Sequence, residues 1–309
     1  MTRRRAISLL GAAGAGTLAT GCGVAGVMRA PQAPAPPFAE IDLRVGDVRV
    51  RSVRTGAVAV KQAHRALVGP ALTRLPSIVL DPRWTPWLPI TAWLVEHPER
   101  TLLVDTGETP RVAEPGYFAC DPGSAFVYEN LLAFDVPLGL TAALRQRGVE
   151  PRDLDAVVVT HLHSDHAGGL ADVDGVPALL SRTEAERPPQ GALPCRWPPG
   201  FVPQPLDYRD GPAGAFEASH ALTPDGTVRA VPTPGHTRGH QSVLVAGPDG
   251  ETILLAGDAA FDRQQVERDE VAGICEDVRG ARRTLGVLRE QLSDDRTVFL
   301  ASHDPDPLG

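Results

Sequence analysis

Residues 160–169 read THLHSDHAGG and place three histidines and an aspartate within six positions. The chain has nine histidines, so a third of them stand in one short stretch. A hydrophobic core has no use for such a cluster, because each buried imidazole needs hydrogen-bond partners. A divalent metal does: zinc and iron take neutral imidazole and carboxylate at about 2 Å from rigidly held side chains. His161, His163, Asp165 and His166 offer four ligands from one loop, enough to serve two ions from opposite sides but too few to complete both. Three more ligand types follow apolar runs downstream: His236 in VRAVPTPGH, Asp258 in ILLAGD and His303 in TVFLASH. A carboxylate can bridge two ions. The expected set is therefore His161, His163, His236 and Asp258 on one, and Asp165, His166, His303 and the same Asp258 on the other. His240 reads as a hydrogen-bonding support of the GHTRGH turn. His64 and His97 read as surface residues, and His220 falls in an irregular region.

The elements that must position these ligands can be read around them. IDLRVGDVRVRSV has the period of a half-buried strand. ITAWLVE and TLLVDTG are apolar runs joined by HPER, a short hairpin-like link. Residues 108–137 are rich in Pro, Gly and aromatics and read as a long irregular segment, of the kind that forms a lid. LTAALRQRGV has a helical pattern with Gly148 as C-cap, and LDAVVVT is a buried strand that runs into the histidines. In the second half, PALLSRTEAE reads as strand then helix, and residues 187–224 as poorly periodic. TVRAVPTPGH, HQSVLVAG, ETILLAGD and TVFLASHD read as strands, and VRGARRTLGVLREQL as an amphipathic helix. Strands arrive in two batches, each followed by helix, which predicts two sheets face to face with helices outside.

Composition narrows the function classes. The 309-residue chain is 42% hydrophobic and 22% charged, the profile of a soluble domain, and carries a net charge of -8. Beyond Arg3, Arg4 and Arg5 there is no basic cluster, so a nucleic-acid partner is not expected. Residues 1–21 read as an export signal, with a basic start and a Gly/Ala-rich apolar stretch too short to span a bilayer. The arginine pair resembles a twin-arginine signal. Ala19-Thr20-Gly21-Cys22 resembles a lipobox that would acylate Cys22; the other reading is a plain cleaved signal. Residues 22–40 read as a Pro/Ala-rich tether and residues 41–309 as the metal-binding domain. The expected location is the cell envelope, with membrane contact only through such an anchor. Cys120, Cys195 and Cys275 allow one disulfide outside the cytoplasm, but the sequence does not choose the pair. It does not indicate an oligomeric state.

Taken together, LVDTG at Asp105, THLHSDHAGG, PGHTRGH, AGD and SHD resemble, in order, the motifs of the metallo-β-lactamase superfamily. The resemblance spans roughly residues 45–304 and implies an α/β fold, the αβ/βα four-layer sandwich. It also implies that Asp105 orients a metal-binding histidine. WLPITAWLVEHPERTLLVDTG, SRTEAE and GHTRGHQSVLV are similar to the N-acyl-homoserine lactonase branch. Two divalent ions, zinc first with iron or manganese as options, would lower the pKa of a bound water to about 7. The expected reaction is attack of that hydroxide on a lactone or ester carbonyl, with Asp165 moving the proton to the leaving oxygen. Other substrates of the same fold are a β-lactam, thioester, aryl ester or phosphotriester. A reading from another class is a non-catalytic surface lipoprotein that binds zinc or a ligand. Lactonases of this branch usually carry tyrosine three residues after the bridging aspartate, where this chain has Phe261. The hydrogen bond to the carbonyl is then missing or another donor supplies it, with Tyr117, Tyr128 and Tyr208 the chain's three tyrosines, and Phe261→Tyr is expected to raise lactone turnover. Trp84, Trp87, Tyr117, Phe118, Phe126, Tyr128 and Phe134 stand before the histidine motif and, with Phe261, are the expected apolar wall for an acyl chain.

Overall fold

Along ITAWLVE, Trp93 and Val95 enter one core while Ala92 and Leu94 enter another. Successive side chains of a strand point to opposite faces, so a continuous apolar run is what a strand buried on both faces requires. The same division holds in TLLV, where Leu102 and Val104 part from Leu103, and in TILLA, where Ile253 and Leu255 part from Leu254 and Ala256.

The computed structural model describes residues 30–67 and 71–308. The expected export signal and Cys22 lie outside the described residues. The elements are β1 (Asp42–Val45), β2 (Val48–Val60), α1 (Gln62–Arg65), α2 (Arg74–Leu80), β3 (Leu88–His97), β4 (Arg100–Val104), α3 (Pro122–Leu131), β5 (Leu132–Asp135), α4 (Leu140–Gln146), β6 (Ala156–Val158), α5 (Ser164–Ala167), β7 (Ala178–Ser181) and α6 (Arg182–Glu186). They continue with β8 (Gln204–Leu206), β9 (His220–Ala221), β10 (Val228–Pro232), β11 (Gln241–Ala246), β12 (Thr252–Gly257), α7 (Arg263–Glu267), α8 (Val278–Gln291) and β13 (Thr297–Ala301). One sheet runs β1-β2-β3-β4-β6-β7-β8, with β5 also paired to β2; the other runs β13-β12-β11-β10-β9. The inner faces share one core, in which Val50, Trp93 and Val158 meet Val243, Ile253 and Leu300. Leu140 and Leu144 of α4 cover the outer face of the first sheet, and Leu285 and Leu288 of α8 that of the second. This is the expected four-layer αβ/βα sandwich. Among the described residues no helix is long and apolar enough to cross a membrane.

Several expectations need correction. IDLRVGDVRVRSV is two strands, β1 and β2, because Gly46 takes positive φ and turns the chain into a hairpin. Residues 108–137 contain α3 and β5 and are not an irregular lid. Asp121 caps α3 by accepting from Gly123 N and Pro122 opens it, so the Pro and Gly that suggested a loop mark a helix start. Part of the expected tether lies on the domain: Ala35 N donates to Asp135 (2.6 Å) and Trp87 Nε1 to Ala33 O (2.9 Å). Cys120 pairs with Cys195, and Cys275 is a buried free thiol.

Candidate metal centre

The histidine loop leaves the first sheet at the end of β6, and its anchor is one residue at the end of neighbouring β4. Asp105 has φ 62°, a left-handed conformation that aspartate tolerates better than most residues. Its backbone N–H pairs with Val158 O (2.9 Å). Its carboxylate accepts from Thr160 N (2.7 Å), Thr160 Oγ1 (2.9 Å) and His166 Nδ1 (2.8 Å). Glu184, buried on α6, ties the loop from the other side, accepting from Leu162 N (2.9 Å) and Thr237 Oγ1 (2.8 Å). His240 holds the second sheet's contribution. Its Nδ1 meets Thr233 Oγ1 (2.8 Å) and its Nε2 accepts from Asp258 N (3.0 Å). A Cβ at Gly257 would sit 2.8 Å from that Nε2, so only glycine allows β12 to end there.

The seven expected ligands converge in two clusters, His161 with His163 and His236, and Asp165 with His166 and His303; Asp258 lies between them. In the first, His163 Nδ1 lies 3.0 Å from His161 Nε2 and 2.9 Å from His236 Nε2. The first of these contacts is not a hydrogen bond. His163 Nε2 faces Gln190 O (3.1 Å), which can only accept, so the proton sits on Nε2. Thr160 Oγ1 gives its hydrogen to Asp105, so it accepts from His161 Nδ1 (3.1 Å), whose Nε2 is left bare. The lone pairs of His161 Nε2 and His163 Nδ1 therefore face each other, an arrangement that repels unless a cation sits between them.

The second cluster shows the same logic. His166 Nδ1 donates to Asp105 and His303 Nδ1 to Pro89 O (2.8 Å). Both Nε2 atoms then face Asp258 Oδ1, at 3.2 and 3.4 Å. Asp165 Oδ2 lies 3.3 Å from His303 Nε2. His166 Nε2 and Asp258 Oδ1 are buried with no hydrogen-bond partner, and each fits a metal. Burial pushes the imidazoles of His161, His163 and His236 down, toward the neutral form that binds metal. Burial also acts on His303, but the charges of Asp258 and Asp165 outweigh it and raise that ring to about 10. The carboxylates thus call for positive charge at this end.

A pocket of about 890 Å³, counting its open mouth, reaches these residues. Of the expected apolar wall, Tyr128 and Phe261 line it, Phe261 with its ring 5.6 Å from that of His303. Tyr117 and Phe118 do not; they pack behind Tyr128, with Phe118 stacked on it at 4.6 Å. Phe126 is 52% exposed, on the solvent side of α3. Trp84 lies under Lys61, Trp87 holds the N-terminal segment, and Phe134 packs beside Phe118. The apolar lining is instead mainly aliphatic, from Val58, Val60, Leu75, Val127, Leu132 and Ile274. His64, expected at the surface, is buried and lines the pocket. His97 is half-buried against Asp225 (3.0 Å), and His220 belongs to β9.

The family model for the metallo-beta-lactamase superfamily matches residues 85–303, most of the described chain. The chain belongs to the metallo-beta-lactamase superfamily. As a superfamily hydrolase it has curated relatives named for one activity. It is 29% identical over 228 residues to the N-acyl homoserine lactonase AttM of Agrobacterium fabrum, covering 71% of this chain and 83% of that one. In fold it is similar to a Bacillus thuringiensis AiiA variant with N-decanoyl-L-homoserine bound at its active site. That match has a TM-score of 0.66 and 23% identity over 84% of this chain and 94% of the other. The dizinc quorum-quenching lactonase AidC matches with a TM-score of 0.57 and 15% identity, over 87% and 91%.

Proposed function

We propose that the protein is a two-zinc hydrolase that opens the ring of an N-acyl homoserine lactone. The observation that carries this is the Asp258 carboxylate, with Oδ1 against His166 and His303 and Oδ2 3.5 Å from His236 Nε2. One group is thereby shared by two ligand clusters at the floor of an apolar pocket. His161, His163, His236 and Asp258 would hold one ion, and Asp165, His166, His303 and Asp258 the other. Bound there, two divalent ions supply an acidified water and a Lewis acid for a carbonyl oxygen.

The chain's own groups do the rest. Asp165 lines the pocket, so its carboxylate can take a proton from the attacking water and return it to the leaving ring oxygen. Val58, Val60, Val127 and Leu132 form a wall suited to an acyl chain. His161, His166, His236 and His303 are buried, and His163 is held against Gln190 O, so the ligands are positioned before substrate arrives. The AttM relative supports the choice of lactone. We also propose export to the cell envelope through residues 1–21, with Cys22 as the point of lipid attachment. The Cys120–Cys195 disulfide supports an oxidising compartment. The test is acid release from a long-chain N-acyl homoserine lactone, run beside the His163→Ala protein.

A further inference from the structure

His64 follows β2 at the start of the pocket wall, and its backbone is clamped on both sides. Asp81 accepts from Ala63 N (2.9 Å), and His64 O accepts from Ile274 N (3.0 Å). Gly273 makes this approach possible, since a Cβ there would lie 1.7 Å from Ala63 O. Yet the ring so firmly placed makes no hydrogen bond to any described residue, and its Nδ1 is fully buried. A buried polar atom left without a partner is costly, so it calls for a reason.

The tautomer follows from the surroundings. Nothing accepts a proton at Nδ1, so the neutral ring carries its hydrogen on Nε2, the nitrogen left open to the pocket. Burial holds the imidazole down at about 4, which keeps it neutral in ordinary buffers. It lines the same pocket as His163, Asp165, Asp258 and His303, the metal-binding end. The other buried hydroxyls on the wall are spent. Tyr128 donates to Gly191 O (2.6 Å) and accepts from Ser164 N (3.1 Å), and Ser124 donates to Asp121 (2.5 Å). Phe261 offers no hydroxyl.

We infer that His64 donates a hydrogen bond from Nε2 to the carbonyl oxygen of the ester being cleaved. This rests on the hydrolase reading above and names the residue that meets the substrate. A donor placed where charge develops on that oxygen lowers the barrier more than it tightens binding.

The test uses His64→Leu, which removes the donor, and His64→Gln, which keeps an N–H near the position of Nε2. Each is assayed on a long-chain N-acyl homoserine lactone and on 4-nitrophenyl butyrate, an ester with no amide, with zinc content and thermal midpoint measured beside. Expected is a fall in kcat of about 10- to 100-fold for His64→Leu on both substrates. Zinc content should be unchanged, the midpoint no lower than wild type, and most of the activity should return in His64→Gln. Phe261→Tyr should recover part of the loss in His64→Leu. Unchanged kcat in His64→Leu overturns the role while leaving the lactonase reading standing. So does a loss that comes with lost zinc or a lower midpoint, or a loss confined to the lactone. A wild type active on the aryl ester alone overturns the lactone reading, and the ester series still decides His64. A zinc-loaded wild type active on neither overturns both.

Discussion

The two oxygens of Asp258 serve different histidines: Oδ1 lies 3.2 Å from His166 Nε2, and Oδ2 lies 3.5 Å from His236 Nε2. A carboxylate so placed holds the two clusters at one spacing. Asp258→Ala should therefore lower zinc from two per chain to one or fewer and cut hydrolysis by at least about 1,000-fold, because both ions lose a ligand. Metal analysis after gel filtration checks this. Two retained zincs would show that the carboxylate is not shared.

Asp105 touches no substrate, yet it fixes the ring of His166 and the turn at Thr160. Asp105→Ala should weaken zinc affinity by about 10- to 100-fold, the usual effect of removing the partner of a ligating imidazole. Competition against a chromogenic chelator measures it directly. An unchanged affinity would make Asp105 a folding residue only.

Glu184 gives a pH signature separable from the metals. Burial raises its carboxyl to about 7, against the hydrogen bonds from Leu162 and Thr237. In the unfolded chain the group ionises near 4.5. Between those values the folded state binds more protons, so stability falls as pH rises from about 4.5 to 7. A shift of that size corresponds to about 3 kcal/mol at full extent. Glu184→Gln should remove that slope while Leu162 keeps its acceptor. Urea unfolding of both proteins at pH 5 and pH 7.5, with equal zinc loading, is the check; parallel pH dependences would contradict it.

The Cys120–Cys195 bond closes a loop with a sequence separation of 75. By loop-closure entropy its removal costs up to about 4.5 kcal/mol. The Cys120→Ser/Cys195→Ser protein should unfold at lower urea concentration yet bind two zincs, since neither cysteine belongs to a cluster. Loss of zinc in that variant would show that the bond shapes the site.

How much of this could be read beforehand depends on where the partners lie in the chain. The residues of the two clusters were legible because HxHxDH packs four donors into one loop, and His236, Asp258 and His303 each follow an apolar strand. The sandwich was legible because its central strands are apolar on both faces. Helix α3 was not, because Asp121, Pro122 and Gly123 mark a helix start with residues that also make turns. Glu184 was hidden in a capping pattern: SRTE follows β7 as Ser-x-x-Glu, but its carboxylate reaches across to Leu162 and Thr237. His64 was unreadable as a pocket residue, since a lone imidazole shows nothing of Gly273 and Ile274, which seat it from far along the chain. Of the expected aromatic wall only Tyr128 and Phe261 line the pocket, where aliphatic side chains on β2 and α3 supply most of the apolar surface.

The central claim is best tested by following acid release from a long-chain N-acyl homoserine lactone by pH-stat. The zinc-loaded protein, residues 39–309, would run beside its His163→Ala variant, which corrects for spontaneous ring opening. The account predicts turnover at least about 100-fold above that variant, with two zincs per chain in the active protein. Ring opening no faster than the variant, from a protein that holds both zincs, would contradict it and move the search to β-lactams, thioesters and phosphotriesters.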